Sequence, residues 1–66
     1  MFALGNVILC RDGKVYMVTQ LTERITLVDL TTYEIIFPYD IALYIEARHK
    51  GIIEVYHHYL DYVIHN

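Results

Sequence analysis

Apolar residues in this chain recur at every second position as far as Phe37 and at helical spacing from Ile41 to Arg48, with Pro38 between the two regimes. A period of two belongs to a strand with distinct faces, and a period near 3.6 to an amphipathic helix. Pro38 marks the boundary because it removes a backbone donor from any ladder that reaches it. The chain therefore reads as α+β and mainly β, with a set of strands followed by a helix.

Asn6–Cys10 is a short apolar run, and Asp12-Gly13 separates it from a second run over 15–21. Asp-Gly between apolar runs predicts a two-residue hairpin turn with positive φ at both central positions. In the second strand Val15, Met17, Thr19 and Leu21 share one face and Tyr16, Val18 and Gln20 the other; neither is strongly polar, which predicts cover on both sides. Thr22-Glu23-Arg24 is a polar break before a third strand over 25–29. Leu30-Thr31-Thr32 makes the next turn, and Tyr33, Ile35 and Phe37 alternate with Glu34 and Ile36 in a fourth strand. Strands at this spacing predict an antiparallel meander of four to five strands.

Asp40 is a good N-cap for a helix over 40–50. Ile41, Tyr44, Ile45 and Arg48 form its stripe, Leu43 and Ala47 widen it, the cationic last turn complements the helix dipole, and Gly51 supplies the C′ position.

Gly51–Asn66 interleaves three Tyr and three His with six aliphatic residues and only two formal charges. As a helix, Ile52, Val55, Tyr56, Tyr59, Leu60 and Val63 make one stripe. As a strand, Ile52, Tyr56, Leu60, Tyr62 and Ile64 share a face, and the Ile, Val and Tyr content favours β. The preferred reading is a strand over 52–57 that closes the meander by pairing with an edge, after which 58–65 finishes as a helical turn or an exposed edge.

The 66 residues make a single domain, 1–66, without repeats or linkers. Domains of this size bury only about 60% of their unfolded surface and need support beyond one core. Cys10, the only cysteine, excludes an internal disulfide framework and suits a reducing compartment. Charges interrupt every apolar run well short of the ~20 residues that span a bilayer, and MFALGNVILC lacks the layout of a signal peptide. The expectation is a cytoplasmic protein, in a host's cytoplasm if viral, with no membrane contact. With 56% hydrophobic residues in so short a chain, some apolar surface is left outside, and such a patch marks an interface.

Tyrosine carries large contact area and a polar tip. Tyr16, Tyr33 and Tyr44 fall in phase with the core. Tyr39, Tyr56, Tyr59 and Tyr62 are expected to anchor a partner, with His57 and His58 at the rim. A helical tail would also stack His57, Asp61 and His65 as metal ligands, beside a Glu54–His58 pair, but no CxxC or HExxH pattern supports this and no metal is assigned. His57 and His58 could alternatively act as a pH switch at an interface; inert surface histidines are the simpler reading.

No catalytic or cofactor-binding residue is assigned. Serine is absent, Arg11 points away from Cys10 if the run is a strand, and there is no Gly-rich phosphate loop. A net charge of −3 argues against nucleic acid, whose phosphates need clustered cations, and Arg48-His49-Lys50 is the only cluster.

The segment from Val7 to Ile45, with Asp12, Gly13, Tyr16, Leu27, Asp29, Leu30 and Glu34 as its markers, resembles small SH3-like β-barrels and is similar to the barrel modules of Mu-type transposases. That resemblance implies a barrel fold and an origin in phage or mobile elements, and it transfers no catalytic residue. The acidic balance and the Tyr/His tail depart from it. The sequence thus points to a small non-enzymatic interaction module that self-associates, with a dimer favoured, and binds another protein as an inhibitor, adaptor or regulator. The competing reading is a nucleic-acid-associated SH3-like module using Arg11, Lys14, Arg24, Arg48 and Lys50.

Overall fold

The computed structural model describes residues 2–66. In chain order its elements are β1 (Val7–Cys10), β2 (Val15–Leu21), β3 (Arg24–Asp29), β4 (Ile35–Ile36), α1 (Ile41–His49), β5 (Ile52–Tyr56) and α2 (Tyr59–His65). The five strands form one antiparallel sheet in the order β4-β3-β2-β1-β5. The first four make the expected meander, and β5 returns to pair with the free side of β1. The sheet stays open, with β4 and β5 as its two edges.

The first turn differs from the expected two-residue type. The Gly13 N–H donates to the Cys10 carbonyl at 3.0 Å, the Cys10 N–H donates to the Lys14 carbonyl at 2.8 Å, and only Gly13 has positive φ, at 95°. This is a three-residue loop ending in a left-handed glycine. Asp12 is free of the turn's backbone demands, and its Oδ1 accepts from the Lys14 N–H at 3.0 Å.

Each face of the sheet carries its own core. On the first, Ile8, Cys10, Tyr16, Val18 and Leu27 are buried with Ile45 of α1, and Phe2, Ile36, Ile41, Tyr44 and Ile52 pack around them. On the second, Val7, Val15 and Tyr56 are buried against Leu9, Met17, Leu30 and Tyr62 of α2. The expected double cover holds for the first half of β2, while Gln20 and Leu21 run out into solvent.

The shift of register between Leu9 and Cys10 explains how β5 serves both cores. Glu54 pairs with Leu9 and Ile52 with Cys10, which leaves Ile53 as the extra residue of a bulge. Ile52 and Tyr56 therefore fall on opposite faces, correcting the single face that simple alternation predicts for them.

Asp29 organises the turn before β4. It is 1% exposed, pairs with Lys14 Nζ at 2.7 Å, and accepts from the Thr31 and Thr32 amides at 2.8 and 3.2 Å. The turn closes through the Tyr33 N–H on the Asp29 carbonyl, at 2.7 Å, with Tyr33 at φ 63°. Tyr33 is consequently 75% exposed and not a core residue. The pairing of Leu27 with Ile36 turns Ile36 inward, leaving Ile35 and Phe37 outside.

Helix α1 begins as expected, with Asp40 Oδ1 accepting the Leu43 N–H at 2.9 Å. Its buried stripe is Ile41, Tyr44, Ile45 and His49; Leu43 is 69% exposed. At the other end Lys50 takes the left-handed position, and the Gly51 N–H reaches back to the Ile45 carbonyl at 3.4 Å. Gly51 holds φ at 105°, a backbone conformation that L side chains rarely adopt, so a substitution there is strained.

Burial alone would push the Asp29 carboxyl up, but the Lys14 ion pair and the two amide bonds outweigh it and hold the group down at about 2. A depressed carboxyl stabilises the fold fully above its unfolded value, here 3.8, and that contribution is lost as pH falls through the folded value. Urea unfolding at stepped pH is expected to show stability falling between about pH 4 and pH 2. Asp29→Asn is expected to be less stable at pH 7 and to lose less over the same window; equal slopes for the two proteins would refute the assignment.

Candidate functional site

The six residues expected to form one partner surface divide between the two edges of the sheet. Tyr39 stands beyond β4, fully exposed, whereas Tyr56, His57, His58, Tyr59 and Tyr62 lie in and after β5 on the opposite edge. They do not form a single site.

At the β5 edge two of the tyrosines are committed to the fold. Tyr56 is 8% exposed and belongs to the second core, which corrects its expected role as an exposed anchor. Tyr62 meets it edge-on, with ring centroids 5.5 Å apart, and Asn66 Nδ2 donates to the Tyr56 hydroxyl at 3.1 Å and to the Tyr62 carbonyl at 3.0 Å. These contacts seat α2. Alternation in the sequence put Tyr56 on one face with Ile52; the bulge that moves it to the second core and the bend that brings Tyr62 onto it were not visible there.

The outer side of α2 has no such partner. None of its residues is buried, and Tyr59, Leu60, Val63 and Ile64 are 49%, 70%, 47% and 76% exposed. On β5, Ile53 and Val55 are also exposed; Val55 stands opposite Ile8, on the face of the first core, while α2 packs over the second. His57 and His58 lie in the bend between strand and helix, exposed, with their rings 4.5 Å apart. His57 therefore precedes the helix, and the stack with Asp61 and His65 that a wholly helical tail would make does not form; His65 Nδ1 instead bonds the Asp61 backbone carbonyl at 2.8 Å. Among the described residues no three His, Cys, Asp or Glu side chains come together as metal ligands would.

At the β4 edge, Phe2, Ile25, Pro38, Tyr39, Asp40, Ile41 and Ala42 line an open cleft of about 470 Å³. Phe37, next to Pro38 in the chain, is half-exposed, and Arg24 lies 5.0 Å over its ring.

One polar chain was not anticipated. Asp12 Oδ2 lies 2.7 Å from His49 Nδ1, and His49 Nε2 lies 2.7 Å from the Tyr16 hydroxyl. In the tautomer with its proton on Nδ1, His49 donates to Asp12 and accepts from the Tyr16 hydroxyl, satisfying both. The signal was present in the spacing, since His49 follows Ile45 by four residues on the buried stripe.

The order carboxylate–imidazole–hydroxyl resembles a nucleophile relay, but the hydroxyl end is closed. Tyr16 is 1% exposed, and burial, then the neighbouring Tyr44, push its ionisation far above neutrality. The bond to His49 holds the Asp12 carboxyl below its ordinary value. Cys10 is fully buried and pushed up to about 11, chiefly by desolvation, so its thiol stays protonated.

Three of the five cations proposed for phosphate contact have partners within the chain. Lys14 is paired with Asp29, Arg24 covers Phe37, and Arg48 sits 5.5 Å over Tyr44. No helix among the described residues is long and apolar enough to cross a membrane. Comparison with protein families, curated proteins and solved structures finds no match to this chain.

Removing the imidazole leaves the Tyr16 hydroxyl buried without this partner. His49→Ala is therefore expected to cost about 1–3 kcal/mol in urea unfolding. His49→Gln, which offers one polar end to Tyr16, is expected to recover part of that loss, and a cost below about 0.5 kcal/mol for His49→Ala would show that the chain is not a structural pin.

Proposed function

We propose that the protein is a non-enzymatic interaction module that self-associates and acts by occupying a surface of another protein, as an inhibitor, adaptor or regulator does. The observation that carries this reading is the number of exposed apolar side chains at the two edges of one sheet, beyond those exposed singly at Leu4, Leu21 and Leu43. Ile53, Val55, Tyr59, Leu60, Val63 and Ile64 gather at the β5 edge, and Ile25, Ile35, Phe37 and Tyr39 at the β4 edge. Contiguous apolar patches mark interaction sites where single exposed residues do not. The closed ends of the polar chain and of Cys10 support a role without chemistry of its own.

Two separate patches suit two separate contacts. The β4 edge is the better surface for a different protein. An open cleft next to a fully exposed tyrosine can receive an apolar side chain while Tyr39 covers it, and an aromatic ring with few rotors loses little freedom in doing so. His57 and His58 belong to the rim of the other edge.

A photo-crosslinking amino acid in place of Tyr39, in cells that produce the protein, tests this assignment. The expected result is a covalent adduct with one other protein, with none from the same probe at Gln20. Adducts only with further copies of this chain, or equal adducts at both positions, would overturn it.

A further inference from the structure

We infer that the occupant of the β5–α2 surface is a second copy of this chain, joined across a twofold axis at Val55 so that the two sheets become one. The inference rests on the self-association part of the proposed function and assigns its geometry.

The hydrogen-bond pattern shows where the edge is open. In an antiparallel pair a residue directs both backbone groups to the same neighbour, and successive residues alternate. Cys10 bonds to Lys14 and Asn6 to Val18, so Ile8, between them, also faces β2, while Val7 and Leu9 face β5. Their partners Tyr56 and Glu54 therefore direct their backbone groups inward to β1, and Val55 directs its N–H and C=O outward. Ile53 lies in the bulge, and the His57 carbonyl already accepts from Asn6 Nδ2 at 3.2 Å. Val55 is thus the residue best placed to start a new ladder.

The same pattern selects the register. A twofold axis at Glu54 would set two carboxylates directly opposite each other, which is destabilising. An axis at Tyr56 would require the bend at His57 to extend. With Val55 on the axis, Val55 bonds its own copy and Glu54 faces Tyr56 of the other chain.

The neighbouring helix fits this arrangement. An axis normal to the sheet keeps each face on its own side, so the two α2 helices lie on one face, flanking the axis, with their unburied apolar sides available to each other. Any occupant must present a strand edge and an apolar helix together, and this chain presents both. Partly exposed Val, Leu, Ile and Tyr residues offer on the order of 100 Å² each, so complete cover of Val55, Tyr59, Leu60, Val63 and Ile64 would remove about 500 Å² per copy, which is the roughly 1,000 Å² total at which a specific interface begins.

Sedimentation equilibrium gives the mass, and amide exchange followed by NMR over a hundredfold range of concentration gives the contact. The expected result is a dimer in which the Val55 amide exchanges at least tenfold more slowly as concentration rises. Val55→Pro removes an N–H that the single chain leaves unpaired, and Val55→Lys places like charges at the axis; each is expected to give a folded monomer by circular dichroism. Leu60→Glu with Ile64→Glu, away from the strand, is expected to weaken the dimer at least tenfold. A monomer at every concentration, a dimer whose Val55 amide stays unprotected, or dimers undisturbed by both Val55→Lys and the helix pair would overturn the inference. A monomer that still gives the Tyr39 adduct would leave the partner-binding part of the proposed function standing.

Discussion

The bond between the Tyr16 hydroxyl and His49 is what fixes α1 on the sheet. The helix contributes one fully buried side chain, Ile45, with Ile41 and Tyr44 packed around it, and apolar contact of this kind carries no direction of its own. The polar chain adds direction to that contact. Asp12 belongs to the first hairpin turn, Tyr16 to the central strand that leaves it and His49 to the last turn of the helix, so the hairpin and the distant helix end meet in one line. Tyr44 closes around the same point, with its ring edge-on to both Tyr16 and His49. Each hydrogen bond adds only about 1 kcal/mol net, but leaving a buried partner unmet costs more than forming the bond gains, which favours one placement over others. Every buried side-chain polar atom among the described residues has a partner.

The strands and the first helix were legible because they follow local rules. The runs around Asp12-Gly13, the polar break at 22–24 and the Asp40 cap each depend on a few neighbouring residues, and the structure places elements at all three. What escaped was set by pairing at a distance. The inward phase of Ile36 follows from its register against Leu27, and the exposure of Tyr33 follows from the turn that Asp29 holds. The tail fitted both a strand and a helix because it contains one of each, divided at His57-His58. Of the candidate site, exposure was anticipated for Tyr39 and Tyr59 and for both histidines, but no local pattern could show that Tyr39 would stand at the opposite edge from the rest.

Edge strands are a hazard in any open sheet, and the two edges here are built differently. β4 is only two residues long, too short to template another chain, and the apolar residues around it shape a cleft. β5 is longer and carries neither Pro nor Lys, devices that commonly blunt an exposed edge. Its bulge limits the open part to the neighbourhood of Val55, which narrows the ways another strand could join. For a domain near the size at which one core suffices, an edge open at one point offers added burial without inviting indefinite stacking.

The extra residue at Ile53 also fixes a length in the chain. Gly51 must stay where its carbonyl receives the Arg11 N–H, and Tyr56 must stay opposite Val7. The four residues between these fixed points are one more than an unbroken ladder would hold. Shortening the segment by one would force a choice between Ile52 in the first core and Tyr56 in the second, so a single codon here separates a sheet with two interiors from a sheet with one.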